Sequence, residues 1–165
     1  MSGPEAIVME KWKRAKGTKL GRWFFSRGIG RLAPYTGTIG ARVELLETGR
    51  SSVRMRDRKA IRNHLDSIHA VALANLTELS GSLAIIASMQ PKTRMIPVRL
   101  ETEYLEKARG TVTAEGRCEI PEPGFEGELV GKVSIRDLAG DEVARGKVTA
   151  VIGPREQSTE SRVKS

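Results

Sequence analysis

Residues 67–91 read SIHAVALANLTELSGSLAIIASMQP, twenty-five residues with one formally charged side chain, Glu78. Ile68, Val71, Leu73, Leu76, Leu79, Leu83, Ile85 and Ile86, with alanines between them, make the segment apolar on nearly every face. A helix of this kind is either enclosed by its own protein or immersed in a membrane. Asn75, Thr77, Ser80 and Ser82 flank Glu78 near the middle, and a central carboxylate is costly in hydrocarbon. The reading is a long buried helix, N-capped by Asp66 or Ser67 and ended before Pro91.

The neighbouring stretches supply what encloses it. Upstream, Ile39, Ala41, Val43 and Leu45 alternate with Arg42, Glu44 and Glu47, and Thr48-Gly49-Arg50 turns the chain. Val53 and Met55 follow, with Arg54, Arg56 and Arg58 opposite, which completes a two-stranded hairpin with a basic stripe. Downstream, Arg94–Tyr104 alternates, with Ile96, Val98 and Leu100 on one face. Gly110–Ile120, Gly127–Ile135 and Val143–Ile152 complete a run of antiparallel strands, separated by Pro121-Glu122-Pro123-Gly124 and by Leu138–Asp141. The order predicts an α+β fold. A small flat sheet cannot bury one helix on all sides, so the sheet must curl around it or a second subunit must cover the rest.

Composition narrows the class. The chain has 165 residues, 39% hydrophobic and 29% charged, which fits one globular domain. A single cysteine, Cys118, excludes a disulfide framework and a Cys-rich zinc site, and two histidines leave no metal centre to expect. Cys118 reads as a small apolar filler in a strand. Residues 1–9 lack a basic region followed by an apolar one, so the expected setting is the cytoplasm. The net charge of +8 is uneven: residues 1–31 hold eight Lys/Arg against two Glu, and residues 50–62 hold six against Asp57. No nucleic-acid motif accompanies this charge, so no specific nucleic-acid partner is expected.

Three regions follow. Residues 1–37 form a basic helical extension, broken at Gly17, Gly21, Gly28 and Gly30 and carrying Trp12, Trp23, Phe24 and Phe25. Its aromatic face is expected to pack on the domain, with an anionic membrane surface as the alternative partner. Residues 38–153 are the main domain, and residues 154–165 read as a disordered tail.

Within the apolar helix, polar groups carry the chemistry. Glu78 and Ser82 lie one turn apart on one face. A carboxylate in such surroundings needs a raised pKa or a specific partner, and it suits a general base or a nucleophile. Asn63, His64, Asp66 and His69 lead into the helix, whose N-terminus near Ala70 offers free N–H groups and a positive dipole end to an oxyanion. Ala70 and Glu78 are eight residues apart, about 12 Å along the axis at roughly 1.5 Å per residue. They cannot reach one carbonyl carbon from the same helix. Two antiparallel copies related by a twofold would bring one chain's Ala70 toward the other's Glu78.

The run Asn63-His64-Leu65-Asp66-Ser67-Ile68-His69-Ala70-Val71, followed by Glu78, resembles the Asn-x-x-Gly-x-x-His-Gly-Gly motif and downstream acid of hotdog-fold acyl-CoA thioesterases. The nearest likeness is to the phenylacetate-degradation type and its uncharacterised bacterial relatives, over about residues 38–152. The resemblance implies a hotdog fold, a curved antiparallel sheet around one helix, in dimers that often form tetramers. It implies hydrolysis of an acyl-CoA, with coenzyme A as part of the substrate and no cofactor required. By position, Glu78 matches the catalytic acid, Ala70 the glycine whose N–H polarises the thioester carbonyl, and Asn63 the residue at the thioester end. Ser82 matches a position that can orient water, and His69 matches the motif histidine. Asp66, Ala70 and Val71 stand where the motif has glycines.

Arg54, Arg56, Arg58, Lys59 and Arg62 offer charge to coenzyme A phosphates, with Arg58, Lys59 and Arg62 the central candidates. Leu73, Leu76 and Leu79 are the expected apolar lining for an acyl group. Two other readings stand beside this one. His64 precedes Glu78 by fourteen residues, which is similar to hotdog 3-hydroxyacyl dehydratases, although their Pro-Gly-rich loop is lacking here. A non-catalytic acyl- or lipid-binding hotdog protein, docking on membranes through its basic N-terminus, is the third.

Overall fold

A computed structural model of the chain describes residues 4–90 and 92–154. Three helices lead, α1 (Pro4–Ala15), α2 (Lys19–Leu32) and the short α3 (Pro34–Gly37). The strands β1 (Arg42–Glu47) and β2 (Arg50–Met55) precede the long helix α4 (Ala70–Ser88). After it come β3 (Thr93–Tyr104), β4 (Val112–Cys118), β5 (Gly127–Arg136) and β6 (Glu142–Pro154). The strands form one six-stranded antiparallel sheet in the order β1-β2-β4-β5-β6-β3. This sheet wraps around α4, the hotdog arrangement expected from the sequence.

The enclosure of α4 follows from its composition. Leu76, Ala84 and Ile85 are wholly buried, and Leu73, Leu79 and Leu83 nearly so, each large side chain contributing about 1.5–3 kcal/mol by leaving water. By length and composition α4 is apolar enough to span a membrane, but the sheet takes the place of lipid. Close approach depends on glycine. A Cβ on Gly131 of β5 would fall 2.5 Å from the Gly81 carbonyl oxygen of α4. A buried polar contact between sheet and helix is satisfied: the Ser51 hydroxyl of β2 lies 2.7 Å from the Ser80 carbonyl, to which it donates. Cys118 is a buried free thiol at the end of β4, and burial pushes its pKa up.

Several local expectations are corrected. The cap of α4 is His69, whose Nδ1 accepts from the Val71 N–H at 3.1 Å, not Asp66 or Ser67. Ser67 instead turns to Asn63, and Asp66 occupies a left-handed backbone position at φ 52°. In β1 a bulge between Val43 and Leu45 shifts the inward position, so Leu46 is buried and Leu45 is not. One extra residue moves every later side chain to the other face. Pro91 and the tail beyond residue 154 lie outside the described residues.

The N-terminal glycines also behave differently from the expectation. The chain bends between α1 and α2, but α2 runs through Gly21, Gly28 and Gly30 unbroken. Thr18 caps it, its Oγ1 accepting from the Gly21 N–H at 2.9 Å. A Cβ on Gly21 would collide with the Ala15 carbonyl, so glycine permits the tight corner. Trp12 and Phe25 are buried together, edge to face at 5.1 Å between ring centroids, and join the main core. Trp23 and Phe24 remain exposed. Helix α2 covers the outer edge of the sheet, where the Val43 N–H of β1 donates to Ser26 Oγ at 2.9 Å.

Candidate functional site

The site is organised by the loop that enters α4. Asn63 Oδ1 accepts from the Leu65 N–H at 2.9 Å, the Ser67 N–H at 3.3 Å and the Ser67 hydroxyl at 3.2 Å. This Asx-type turn leaves only the side-chain NH2 of Asn63 to address a ligand. The loop is pinned on both sides. Ile68 N–H donates to the Ala108 carbonyl and His69 N–H to the Ile61 carbonyl, each at 2.8 Å.

Below the loop, Asp57 holds Arg62 in a bidentate pair at 2.7 and 3.2 Å and accepts from the Gly110 N–H at 3.0 Å. The Arg62 hydrogen bond, with help from the Gly110 N–H, lowers the Asp57 pKa against the upward pull of burial.

The left-handed position of Asp66 explains one departure from the glycine pattern. Glycine adopts φ > 0 freely, and aspartate is among the few residues that tolerate it. The loop geometry a glycine would provide is therefore kept with a carboxylate in its place.

At the N-terminus of α4, the Val71 N–H is taken by His69 Nδ1, and the Ala72 and Leu73 N–H groups by the His69 carbonyl. Ala70 is exposed, and its N–H lies at the positive end of a nineteen-residue helix. The Ala70 carbonyl accepts from the Tyr104 hydroxyl at 3.1 Å, so the end of β3 stands beside this terminus. Val71 is 51% exposed and crowds the same corner.

Two turns further, Glu78 is half-buried and Oε1 accepts from the Ser82 hydroxyl at 2.9 Å. Beyond Ala70 at its first position, Val71, Ala74, Glu78 and Ile86 are the incompletely covered positions of α4. Their spacing of three, four and eight residues places them on one stripe, facing away from the sheet. The structure thus brings Glu78 and Ser82 together, and separately brings Asn63, His69 and Ala70 together around the loop. His64 is exposed beside them.

The other candidates are dispersed. Arg58 donates through Nη2 to the Thr38 carbonyl, and Arg62 is held by Asp57, while Lys59 is exposed in a short 3-10 turn. Leu73 and Leu76 are core residues packed under the sheet rather than a lining. Tyr104 escaped the sequence reading, because its contact with Ala70 joins positions thirty-four residues apart. No group of three or more His, Cys, Asp or Glu suited to a metal occurs among the described residues.

Comparison with known proteins adds a frame. The model of a family described as "Domain of unknown function (DUF4442)" matches residues 21–152, taking in α2 and α3 as well as the sheet and α4. No curated protein matches the chain.

Among solved structures, the structural-genomics protein APC5556 is 27% identical with TM-score 0.76, over 90% of this chain and 98% of its own. PA5026 of Pseudomonas aeruginosa, described as a probable thioesterase of unknown function, is 22% identical with TM-score 0.69, over 79% and 94% of the two chains. A hypothetical thioesterase of Streptococcus pneumoniae, solved with coenzyme A, is 19% identical with TM-score 0.59, over 70% and 91%. These proteins share the fold.

Proposed function

The chain belongs to the DUF4442 family, and from that premise we propose that it hydrolyses an acyl-CoA-type thioester in a site shared between two copies. The observation that carries this reading is the Glu78–Ser82 pair, a half-buried carboxylate on the incompletely covered stripe of α4 and a buried hydroxyl 2.9 Å from it. The thioesterase names of two similar structures, one holding coenzyme A, support the same class.

The chemistry divides between the two ends of the site. The Ala70 N–H and the positive end of α4 stabilise the oxyanion that forms when the thioester carbonyl is attacked. The Asn63 side-chain NH2 places the thioester, and His69 holds the first turn in shape through Val71. The partner subunit's Glu78 takes a proton from water as that water attacks the carbonyl carbon, or attacks the carbon itself. Ser82 holds the carboxylate and the water in register. The carbon–sulfur bond then breaks: in the base route the thiolate takes the proton held by Glu78, and in the direct route it leaves an acyl–Glu78 anhydride that water hydrolyses, its proton going to the thiolate. No metal or cofactor is required by these steps, and Lys59, beside Arg58 and Arg62, faces the coenzyme A phosphates.

Sharing between copies is supported by β3. It is one of the two edge strands, and Ile96, Val98 and Leu100 on it are 49%, 54% and 45% exposed. An apolar strand edge of this length calls for a partner. It adjoins the N-terminus of α4 through Tyr104, so a second copy paired there meets the uncovered stripe of α4.

The test is free-thiol release from a panel of short, long and aryl acyl-CoAs. Thiol release supports hydrolysis, whereas an enoyl chromophore without thiol would assign the dehydratase reading and its His64. The exposed Val71 and the Asp66 carboxylate favour one second reading, a non-catalytic acyl-binding protein docked on a membrane through exposed Leu20 and Phe24. Saturable acyl-CoA binding with no product would establish it.

A further inference from the structure

A cavity of about 790 Å³ lies between α2–α3 and the β1–β2 hairpin, with Leu79 of α4 among its lining residues. That size suits a small organic ligand. Five arginines line it: Arg27 and Arg31 from α2, Arg42 from β1, Arg54 from β2, and Arg56 just beyond the end of β2. The one lining carboxylate, Glu44, is paired with Arg22 at 3.4 Å. None of the five arginines forms an ion pair among the described residues.

This arrangement works against the fold. Arg42 and Arg54 are direct cross-strand partners, and Arg56, two residues further along the chain, lines the same cavity. Arg27 and Arg31 are one turn apart on the opposite wall. Like charges in such positions repel in both a sheet and a helix. Arg27 is also held in place, its guanidinium 5.1 Å from the Trp23 ring centroid. Uncompensated, converging and partly pre-oriented guanidinium groups are what a multiply charged anion needs, and the planar guanidinium fork matches phosphate oxygens.

We infer that this arginine-lined cavity binds a ligand carrying two or more phosphate charges, held between Arg27 and Arg31 on one wall and Arg42, Arg54 and Arg56 on the other. A single carboxylate would leave most of the charge unbalanced. Thr38, a lining residue, is held through its carbonyl by Arg58. The phosphates have two sources, a free polyphosphate-bearing metabolite or the headgroup of an anionic lipid, since Leu20, Leu32 and Tyr35 are exposed on the same helices. Arg54 and Arg56 are shared with the charge offered to coenzyme A phosphates, but the inference needs no thioester hydrolysis and is tested without turnover.

The experiment titrates the full chain with inorganic pyrophosphate by calorimetry and with phosphatidylcholine vesicles with and without cardiolipin, whose headgroup carries two phosphates, by co-sedimentation. The variants are the double substitution Arg42→Gln/Arg54→Gln, the single Arg56→Gln, and Arg117→Gln in a separate groove as control.

Pyrophosphate affinity should fall at least about tenfold in the double variant and less in Arg56→Gln, with Arg117→Gln unchanged. The unliganded double variant should melt no lower than wild type, because a repulsion has been removed. Binding confined to cardiolipin vesicles, with the same order of loss, assigns the lipid source. No binding to either probe, or equal losses in Arg117→Gln, overturns the inference.

Discussion

The Ser82 hydroxyl donates to Glu78 Oε1 at 2.9 Å, one turn along a helix that the sheet otherwise encloses. A helical serine normally returns its hydroxyl to its own backbone, as Ser88 does to the Ala84 carbonyl at 2.9 Å. Ser82 serves a carboxylate instead. Substituting Ser82→Ala should lower kcat about tenfold, about 1.4 kcal/mol of transition-state stabilisation, with KM little changed. Steady-state kinetics on the preferred acyl-CoA give the value. An unchanged kcat would return Ser82 to a structural role.

Asp66 carries a strained backbone in the loop that leads to Ala70, at φ 52°. Asp66→Gly should keep stability within about 0.5 kcal/mol of wild type, since glycine takes this conformation without strain. Asp66→Val should cost about 1–2 kcal/mol or more, because a β-branched residue is poorly accommodated there. Urea unfolding of the three proteins checks the order. Equal stability of the valine variant would mean the loop has rearranged.

The Asp57–Arg62 pair beneath that loop carries a pH signature. The Arg62 hydrogen bond, followed by the Gly110 N–H, holds the folded-state pKa of Asp57 below its ordinary value. Ionised Asp57 therefore stabilises the fold above the unfolded-state pKa of about 4, and this contribution is lost as pH falls through the lower folded-state value. Thermal melts of wild type and Asp57→Asn should differ most near neutral pH, begin to converge below about pH 4 and meet below the folded-state value. A constant gap across this range would show that the charge contributes nothing.

The exposed apolar edge of β3 should be an interface. Ile96→Lys together with Val98→Lys should shift sedimentation from a dimer or tetramer to a monomer while leaving far-ultraviolet circular dichroism intact. Turnover should fall at least about tenfold, since neither copy alone brings Ala70 and Glu78 to one carbonyl. A monomer with full activity would place the site within one chain.

The legible parts of the sequence were those with strong local signals. The run from Ala70 to Ser88 has one charge, and Thr48-Gly49 joins two alternating segments, so α4 and the β1–β2 hairpin could be read directly. The bulge after Val43 could not, because Leu45 and Leu46 are equally apolar and only packing selects between them. His69 as the cap of α4 was hidden by better capping residues at positions 66 and 67. For the candidate site, helical spacing alone gave the Glu78–Ser82 contact. Tyr104 against Ala70, and Arg27 and Arg31 facing Arg42 and Arg54, depend on chain crossings that no local pattern encodes.

The most direct measurement compares wild type and Glu78→Gln in parallel for free-thiol release across the acyl-CoA panel. Glutamine keeps the shape and an acceptor for Ser82 but removes the charge that acts as base or nucleophile. The account predicts turnover by wild type that falls about 10²-fold or more in a normally folded Glu78→Gln, beyond the low end for a general base. Turnover that survives the substitution, or a wild type that releases no thiol from any acyl-CoA, would contradict it.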